Sequence, residues 1–299
     1  MLRWRLVSAA GLISGLVALL WLDYRSFLGA PPGLLLLPLA LVGILLGTRE
    51  LLDLLSARQL APHAFETAAG TLLIALAAAV SLLGPETVPV WLRGTQPTLW
   101  ALAAGLFGLF LGEMARYREP GGVTLRIAAG TLIQVYLGLM GSFLIALRLF
   151  HSNAWGLAAL ISMILVVKLS DAGAYFAGRA LGRHPLAPLL SPKKTVEGSL
   201  GGIVASIAGA GLFCHFFLPW FIPDAAPVAP WRWIIYGLVL AVTGMLGDLA
   251  ESLIKRDMGR KDAGQLLPGM GGVLDVLDSL LWGAPVACLC WNAGLLGPA

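Results

Sequence analysis

The thirty-one residues from Asp248 to Asp278 carry ten charged side chains, in a chain of 299 residues of which only 12% are charged and 58% are hydrophobic. Both signs of charge are present. Carboxylates can hold a divalent metal ion, while Lys and Arg side chains contact phosphate oxygens. A loop that only sets membrane topology is the alternative, but the mixed signs favour a binding site. We therefore predict that this segment binds a metal–triphosphate complex.

The first part of this segment predicts one stripe along a helix. Asp248, Glu251, Ser252 and Lys255 occupy positions i, i+3, i+4 and i+7, which share a helix face. Arg256 follows directly, so two basic side chains end a stripe that begins with two acidic ones. Such a stripe can contact both a cation and a phosphate.

A glycine-rich loop follows and leads into another helix. Gly271 and Gly272 free the backbone to approach a ligand closely. Asp275 and Asp278 stand at i and i+3 on the helix that begins there. Acidic residues in a first helical turn also stabilise the helix dipole. Because this helix is about to enter the bilayer, a bound cation explains both carboxylates better.

A second polar segment runs from Lys168 to Gly198. Asp171 interrupts an apolar stretch, where a carboxylate is costly unless it is paired or bound to a cation. It is therefore a candidate functional residue, with an i, i+3 pair to Lys168 as the alternative. Tyr175 and Gly178 follow at spacings of four and three, which places them on the same helix face.

The end of this second segment is typical of a phosphate-binding helix start. Pro192 ends any preceding helix, and Thr195 is a candidate N-cap for the next one. Lys193 and Lys194 lie just before that N-terminus, where N–H groups and the helix dipole attract anions. The positive-inside rule also predicts lysines before a membrane span. The lysine pair alone leaves both interpretations open.

Membrane helices must position these residues, because the rest of the chain is so apolar. We predict an all-α polytopic membrane protein with about nine transmembrane helices and a cytoplasm-facing polar active-site cavity. The apolar runs lie at residues 6–22, 33–47, 66–83, 98–112, 126–149, 154–169, 199–218, 233–247 and 279–296. Several are shorter than the ~20 residues that cross the hydrocarbon, so those helices extend, tilt or lie buried in the bundle. The first run resembles a signal peptide, but we expect an uncleaved helix since many spans follow.

Two regions of one integral unit are predicted. Residues 1–150 form N-terminal transmembrane helices, and residues 151–299 form the C-terminal catalytic region. With the N-terminus inside, about 14 Lys and Arg residues fall in cytoplasmic segments and about four outside, as the positive-inside rule expects. Both polar segments then face the cytoplasm of a bacterial-type inner membrane, and the C-terminus faces out.

The net charge and the cysteines limit the partners and sites that we expect. The net charge of +4 fits this topology and contact with membrane lipid, so no nucleic-acid partner is expected. Cys214, Cys288 and Cys290 all lie in apolar runs without a C-x-x-C pattern, so we expect neither a disulfide nor a zinc site.

The sequence SLIKRDMGRKDAGQLLPGMGGVLDVLD, Ser252 to Asp278, resembles the signature of CDP-diacylglycerol synthases, also called phosphatidate cytidylyltransferases. That pattern runs S-x-x-K-R, four residues, K-D-x-G, and then P-G-H-G-G-x-x-D-R-x-D. Upstream, D-x-x-A-Y at residues 171–175 and S-P-x-K-T-x-E-G at residues 191–198 also resemble the family. The resemblance covers about residues 165–290. Two residues depart from it, since Met270 and Val276 stand where the family has His and Arg.

The resemblance implies transfer of CMP from CTP to phosphatidate, giving CDP-diacylglycerol and pyrophosphate for phospholipid synthesis. It implies Mg²⁺ or another divalent cation, held by Asp248 and Asp275, with Asp278, Glu251 and Asp171 next in line. The implied catalytic residues are Asp248, Asp275, Lys255, Arg256, Lys261, Asp262 and Asp278. The implied substrate-binding residues are Asp171, Tyr175, Ser191, Lys193, Lys194, Thr195, Glu197, Glu251, Ser252, Gly271 and Gly272. The oligomeric state stays open, with a homodimer as a candidate.

Other functions remain as alternatives. A CTP-dependent lipid kinase or an isoprenoid-lipid cytidylyltransferase would use the same nucleotide. A cation-coupled membrane transporter would use intramembrane acids as an ion path. Against the transporter, the charges cluster at one face and no inverted repeat is visible in the sequence.

Overall fold

The computed structural model describes residues 2–83, 88–89, 94–264, 266 and 271–298. The α-helices in chain order are α1 Leu2–Tyr24, α2 Leu37–Ser56, α3 Ala64–Ala78, α4 Gln96–Arg116, α5 Val123–Ile133, α6 Met140–Arg148, α7 Asn153–Leu181, α8 Val196–Leu212, α9 Leu218–Phe221, α10 Pro230–Asp257 and α11 Leu274–Asn292. Short 3-10 turns lie at Phe27–Gly29 and Ala79–Leu83. π-helical turns at Gln134–Leu139 and Phe213–Phe217 join α5 to α6 and α8 to α9.

Six helical stretches in the described part of the chain are long and apolar enough to cross a membrane, judged by length and composition. They are Gln96–Arg116, Val123–Arg148, Asn153–Leu181, Val196–Phe221, Pro230–Asp257 and Leu274–Asn292. Each of the nine predicted apolar runs falls mostly on helical residues. The protein is therefore an all-α polytopic membrane protein, as predicted, while the number nine stays a prediction.

The chain divides into two compact units. Unit 1 contains Met1–Leu149 and Asp257–Val276, and unit 2 contains Phe150–Arg256 and Leu277–Ala299. The boundary between Leu149 and Phe150 lies next to the division at residue 150 that the sequence predicts. Residues 257–276, predicted as part of the C-terminal region, group with unit 1.

Unit 1 is held together by close helix packing and by buried polar pairs. A Cβ on Gly70 of α3 would lie 3.1 Å from the Cα of Gly105 of α4, so small residues bring these helices together. Gln134 lies at this crossing and donates from Nε2 to the Gly105 carbonyl at 3.3 Å. The buried Arg148 donates from Nε to Asp23 Oδ2 at 2.7 Å. Gln134 Nε2 and Arg148 Nε therefore both find acceptors inside the protein, as burial of polar donors requires.

Unit 2 is built on the pairing of α7 with α8. A Cβ on Gly201 would clash with Ala177, and a Cβ on Gly198 would lie 3.2 Å from the Cα of Gly178. The small residues therefore let the two helix backbones come close. Gly178, which the sequence placed on the same face of the helix as Asp171, is one of the residues at this close contact.

Two short strands connect α7 to α8, and the sequence analysis did not predict them. β1, Pro185–Ala187, pairs antiparallel with β2, Ser191–Thr195, with Pro185 opposite Thr195. β1 has only three residues, and buried and exposed residues do not alternate along β2, so no strand pattern indicated either one. Thr195 then caps α8, since its hydroxyl accepts from the Gly198 N–H at 3.1 Å, which confirms the predicted N-cap.

Candidate active site

Three carboxylates of unit 2 converge where α10 and α11 carry the signature residues. Asp248 and Glu251 lie one turn apart on α10, and Asp278 lies on α11. One oxygen from each carboxylate lies within 4.8 Å of the other two. Glu251 and Asp278 are buried, and Asp248 is half-buried. We call these three residues the acidic cluster.

Two lysines contact the acidic cluster. Lys194, at the end of β2, lies with Nζ 2.6 Å from Asp248 Oδ2. Lys255, one turn beyond Glu251 on α10, lies with Nζ 2.7 Å from Glu251 Oε2 and is buried. The structure therefore confirms the predicted stripe on α10 and joins Lys194 of the second polar segment to it.

This arrangement fits a divalent cation. Three carboxylates so close together repel one another, and burial makes that repulsion stronger because the local dielectric is low. The two lysines offset part of the negative charge. Carboxylate oxygens at this spacing are the ligands that Mg²⁺ and Ca²⁺ prefer.

Asp171 forms the pair that the sequence gave as its alternative role. Lys168 Nζ lies 3.0 Å from Asp171 Oδ2, and it also donates to Ser279 Oγ at 2.9 Å. Ser279 Oγ in turn donates to Asp171 Oδ2 at 3.3 Å. Because Ser279 follows Asp278 directly, this network links α7 to the residue beside the acidic cluster.

The start of α8 is fixed by Glu197. One carboxylate oxygen accepts from the backbone N–H groups of Arg183 and His184, at 3.1 and 3.2 Å. The other oxygen lies 2.5 Å from His184 Nδ1. Glu197, predicted as a substrate-binding residue, therefore anchors the segment that enters β1. It thereby helps to hold the hairpin that carries Lys194.

Five other predicted residues also lie in unit 2. Ser252 is buried on α10, and Ser191 begins β2. Lys193 is exposed, in contrast to its half-buried neighbour Lys194. Tyr175 is exposed on α7, where its hydroxyl accepts from Arg179 at 3.2 Å. Arg256 is exposed at the end of α10 and donates from Nε to the carbonyl of Leu190 at 3.1 Å.

Asp275 belongs to unit 1, and its carboxylate contacts the backbone of the segment between α10 and α11. We call the described residues of this segment, 258–264, 266 and 271–273, the signature loop. Asp275 Oδ2 accepts from the N–H of Gly272 at 2.7 Å and from the N–H of Ala263 at 3.2 Å. Gly271 adopts a positive φ of 100°, a conformation that favours glycine. Asp275 therefore orders the loop from the first turn of α11.

Glu50 on α2 also contacts this loop region, and the sequence analysis did not select it. It is buried, and its two oxygens accept from the N–H groups of Val273 and Leu274 at 2.9 and 2.8 Å. The only signal in the sequence was a polar break, Arg49-Glu50, inside a run of apolar residues.

A cleft of about 560 Å³ lies in unit 1 beside Glu50. Arg49 and Asp53 of α2 line it together with Arg260, Lys261 and Asp262 of the signature loop. Lys261 and Asp262 were predicted as catalytic residues, and both are exposed on the cleft wall. Three basic and three acidic side chains line the cleft, so its wall offers charges of both signs.

Of the two residues that depart from the family pattern, the structure describes Val276 but not Met270. Val276 lies in the first turn of α11, where its N–H donates to the carbonyl of Val273 at 3.1 Å. Met270 lies outside the described residues, as do Pro268 and Gly269.

Comparison with known proteins identifies the family. The model of the cytidylyltransferase family matches residues 3–293. The chain belongs to this family. The match extends over nearly the whole chain, whereas the resemblance read from the motifs covered about residues 165–290.

Relatives named phosphatidate cytidylyltransferase occur in several bacteria. The protein from Synechocystis is 34% identical over 264 residues, which are 81% of this chain and 83% of that protein. The protein from Staphylococcus saprophyticus is 41% identical over 138 residues, 46% of this chain and 50% of that protein. The protein from Bacillus subtilis is 38% identical over 155 residues, 52% of this chain and 54% of that protein. The chain thus spans about half the length of two of these relatives and most of the third, and the predicted family resemblance is confirmed.

Proposed function

We propose that this protein transfers CMP from CTP to phosphatidate, giving CDP-diacylglycerol and pyrophosphate for phospholipid synthesis. One observation carries the proposal: the acidic cluster and its two lysines, assembled from the motif residues of a chain in the cytidylyltransferase family. The printed name of the relatives supplies the substrate, phosphatidate.

The proposed reaction depends more on stabilising the negative charge of the phosphates than on a strong general base. An oxygen of the phosphatidate phosphate forms a bond to the α-phosphorus of CTP. The bond from that phosphorus to the bridging oxygen of the β-phosphate breaks, and pyrophosphate leaves with the electron pair. A phosphate monoester has its second pKa at about 6, so the attacking group is already largely dianionic near neutral pH. The protein must then bring two anions together, which positioning and positive charge achieve.

Asp248, Glu251 and Asp278 are the proposed holders of Mg²⁺ or another divalent cation. Their close spacing and burial support this choice. When bound, such an ion offsets negative charge on the phosphates and helps to orient them. The role of Asp275 as a metal ligand, implied by the family resemblance, stays a prediction. Its Oδ2 already accepts two backbone N–H groups.

The basic residues are proposed to hold phosphate oxygens. Lys194 contacts Asp248, so its ammonium group lies beside the proposed metal site. Lys255 and Arg256 follow on α10, and Lys261 lines the unit 1 cleft. Lys and Arg donate charge-assisted hydrogen bonds to such oxygens. The residues of the SPKKTVEG segment, Ser191 to Gly198, form and anchor the hairpin that carries Lys194.

The finer membrane arrangement is also part of the proposal. We infer an inner-membrane protein with about nine spans and an active-site cavity open to the cytoplasm, since most basic residues fall in segments on that side of the predicted topology. CTP is a cytoplasmic substrate and phosphatidate is a membrane lipid, so a site at that face reaches both. A homodimer is the oligomeric state to test.

Two labels on CTP test the reaction class. The purified protein in detergent is incubated with phosphatidate, Mg²⁺ and CTP labelled either in cytosine or in the γ-phosphate. Cytosine label in the lipid fraction is the expected result. Lipid that gains only the γ-label would identify a kinase, and no label in lipid would favour the transporter. Replacing phosphatidate with an isoprenyl phosphate tests the remaining alternative, which predicts a faster reaction with the isoprenoid.

A further inference from the structure

Glu50 contacts the signature loop from a helix that the proposed chemistry does not use. It lies on α2, more than 200 residues before its partners, and only 8% of it is exposed. Oε1 accepts from the N–H of Val273 at 2.9 Å, and Oε2 accepts from the N–H of Leu274 at 2.8 Å. These N–H groups stand at the start of α11, where a helix leaves its first donors unsatisfied. The carboxylate therefore caps the helix that carries Asp275 and Asp278.

Two glycines of the signature pack directly against this carboxylate. A Cβ on Gly272 would lie 2.5 Å from Glu50 Oε2, and a Cβ on Gly264 would clash with Oε1. A real side chain at either position would push Glu50 away from its two N–H partners. Glycine at these two signature positions therefore leaves the space that the Glu50 carboxylate occupies.

The signature loop is held by carboxylates at two points. Glu50 binds the backbone at Val273 and Leu274, while Asp275 binds it at Gly272 and Ala263. The negative charge of Glu50 also interacts favourably with the positive end of the α11 dipole. Removing the charge leaves buried N–H groups without a strong acceptor, a change that loosens the local backbone.

We propose that Glu50 is a positioning residue for cytidylyl transfer. It fixes the end of the signature loop, so that Lys261 and Asp262 on the cleft wall and Asp275 at the helix start keep one geometry. This inference rests on the proposed function for its effect on turnover. The backbone contacts themselves are independent of that function and can be measured separately.

The main test compares Glu50→Gln with Glu113→Gln. Glutamine has the size of glutamate, but its amide NH₂ would face one N–H donor without accepting from it. Glu113 is a matched control, because it is also a buried glutamate of unit 1 and pairs with Arg126 at 2.6 Å, away from the signature loop. Hydrogen exchange of residues 271–276 and steady-state kinetics are measured on both purified variants.

The expected results differ between the two variants. For Glu50→Gln, exchange at residues 273 and 274 rises and kcat falls about 10- to 100-fold, a typical effect of losing a supporting hydrogen-bond partner. KM for phosphatidate stays within about threefold, because a loop-positioning residue acts on the transition-state geometry and not on lipid binding. Glu113→Gln leaves both exchange at residues 271–276 and kcat close to the wild-type values. Glu50→Asp keeps the charge and recovers part of kcat, and it replaces Glu50→Gln if that variant does not fold.

Each outcome decides one point. Faster exchange in Glu50→Gln with unchanged kcat would overturn the positioning role. An equal loss of kcat in Glu113→Gln would mean that the effect is general destabilisation, which also overturns it. If the wild-type protein transfers no cytidylyl group, the proposed function fails, while the exchange data still report whether Glu50 holds the loop.

Discussion

Three carboxylates within 4.8 Å of one another need a positive charge among them. Lys194 Nζ lies 2.6 Å from a carboxylate oxygen of Asp248, and Lys255 Nζ lies 2.7 Å from one of Glu251. Glu251 and Asp278 are the two buried members of the cluster. A divalent ion would interact with all three at once. We propose that such an ion binds the acidic cluster, so both the stability and the activity of the protein are expected to depend on it.

Replacing Asp248 or Asp278 with Asn should cut cytidylyl transfer by at least about 10³-fold, as for loss of other groups that stabilise charge in a transition state. Folding should survive, because the change relieves repulsion between the acids when no metal is bound. Turnover across a magnesium titration is the measurement, with monodisperse behaviour in detergent as the check on folding. Asp224→Asn, in the exposed segment between α9 and α10, is the control and should keep normal turnover. Near-normal activity in both cluster variants would show the metal assignment to be wrong.

Lys194 and Lys193 are adjacent but should not contribute equally. Lys194 is half-buried and contacts Asp248, whereas Lys193 is exposed. Lys194→Gln should therefore lower kcat/KM for CTP by at least about tenfold more than Lys193→Gln, a difference of about 1.4 kcal/mol in transition-state stabilisation. The two variants are compared under identical salt conditions. Equal losses would mean that the pair acts as a diffuse positive patch.

The sequence could predict which site residues lie together where they share one helix. Spacing alone predicted that Asp248, Glu251, Ser252 and Lys255 face the same way, since the helix period fixes this. Spacing could not tell whether Asp275 or Asp278 joins Asp248, because both were expected on the same helix. The contacts of Glu50 could not be predicted from the sequence for a different reason. Its partners are backbone N–H groups 223 and 224 residues away, and a backbone donor has no residue type to recognise.

The helices themselves follow from local signals. Apolar runs predicted where they lie, and Thr195 predicted where α8 begins, because a threonine hydroxyl can satisfy an exposed N–H of the first turn. The hairpin before α8 gave no comparable signal. Pro192 lies inside β2 and lacks an N–H, so its strand does not resemble an ordinary one in sequence.

The pairing of α7 with α8 depends on glycines that leave no room for a methyl group. A Cβ on Gly201 would clash with Ala177, whereas a Cβ on Gly108 of α4 would meet no atom within 4 Å. Gly201→Ala should therefore destabilise the protein by ~1–3 kcal/mol, the usual range for overpacking. Gly108→Ala is the matched control and should not destabilise, since both changes have the same helix propensity. Thermal unfolding in detergent measures both, and equal unfolding temperatures would contradict tight α7–α8 packing.

At the scale of the whole molecule, composition predicted a membrane protein but left the number of spans open. Six stretches qualify by length and composition in the described residues. α2 carries Arg49, Glu50 and Asp53, and α3 has 15 residues. Hydropathy alone does not decide whether such helices cross, because a buried carboxylate with hydrogen-bond partners, such as Glu50, lowers the hydropathy of a helix without excluding it from the membrane.

The sidedness of the two polar segments follows from chain connectivity. Val196–Phe221 has 26 residues and Pro230–Asp257 has 28, so each helix is about 40 Å long at 1.5 Å per residue. That length exceeds the ~30 Å hydrocarbon core, so each can cross it once. The segment between them should then face one side, while the hairpin before the first and the signature loop after the second face the other.

Single cysteines in a background without Cys214, Cys288 and Cys290 test this arrangement. Leu189→Cys reports on the hairpin and Leu266→Cys on the signature loop, and both positions are exposed. Asp224→Cys reports on the segment between the two spans. An impermeant maleimide added to intact cells should label position 224 only, whereas positions 189 and 266 should react after the membrane is opened. This pattern is expected because the basic residues near Lys194 and Lys261 hold their segments in the cytoplasm. Labelling of position 189 or 266 in intact cells would place that segment outside, away from cytoplasmic CTP, and would overturn the proposed site at the cytoplasmic face.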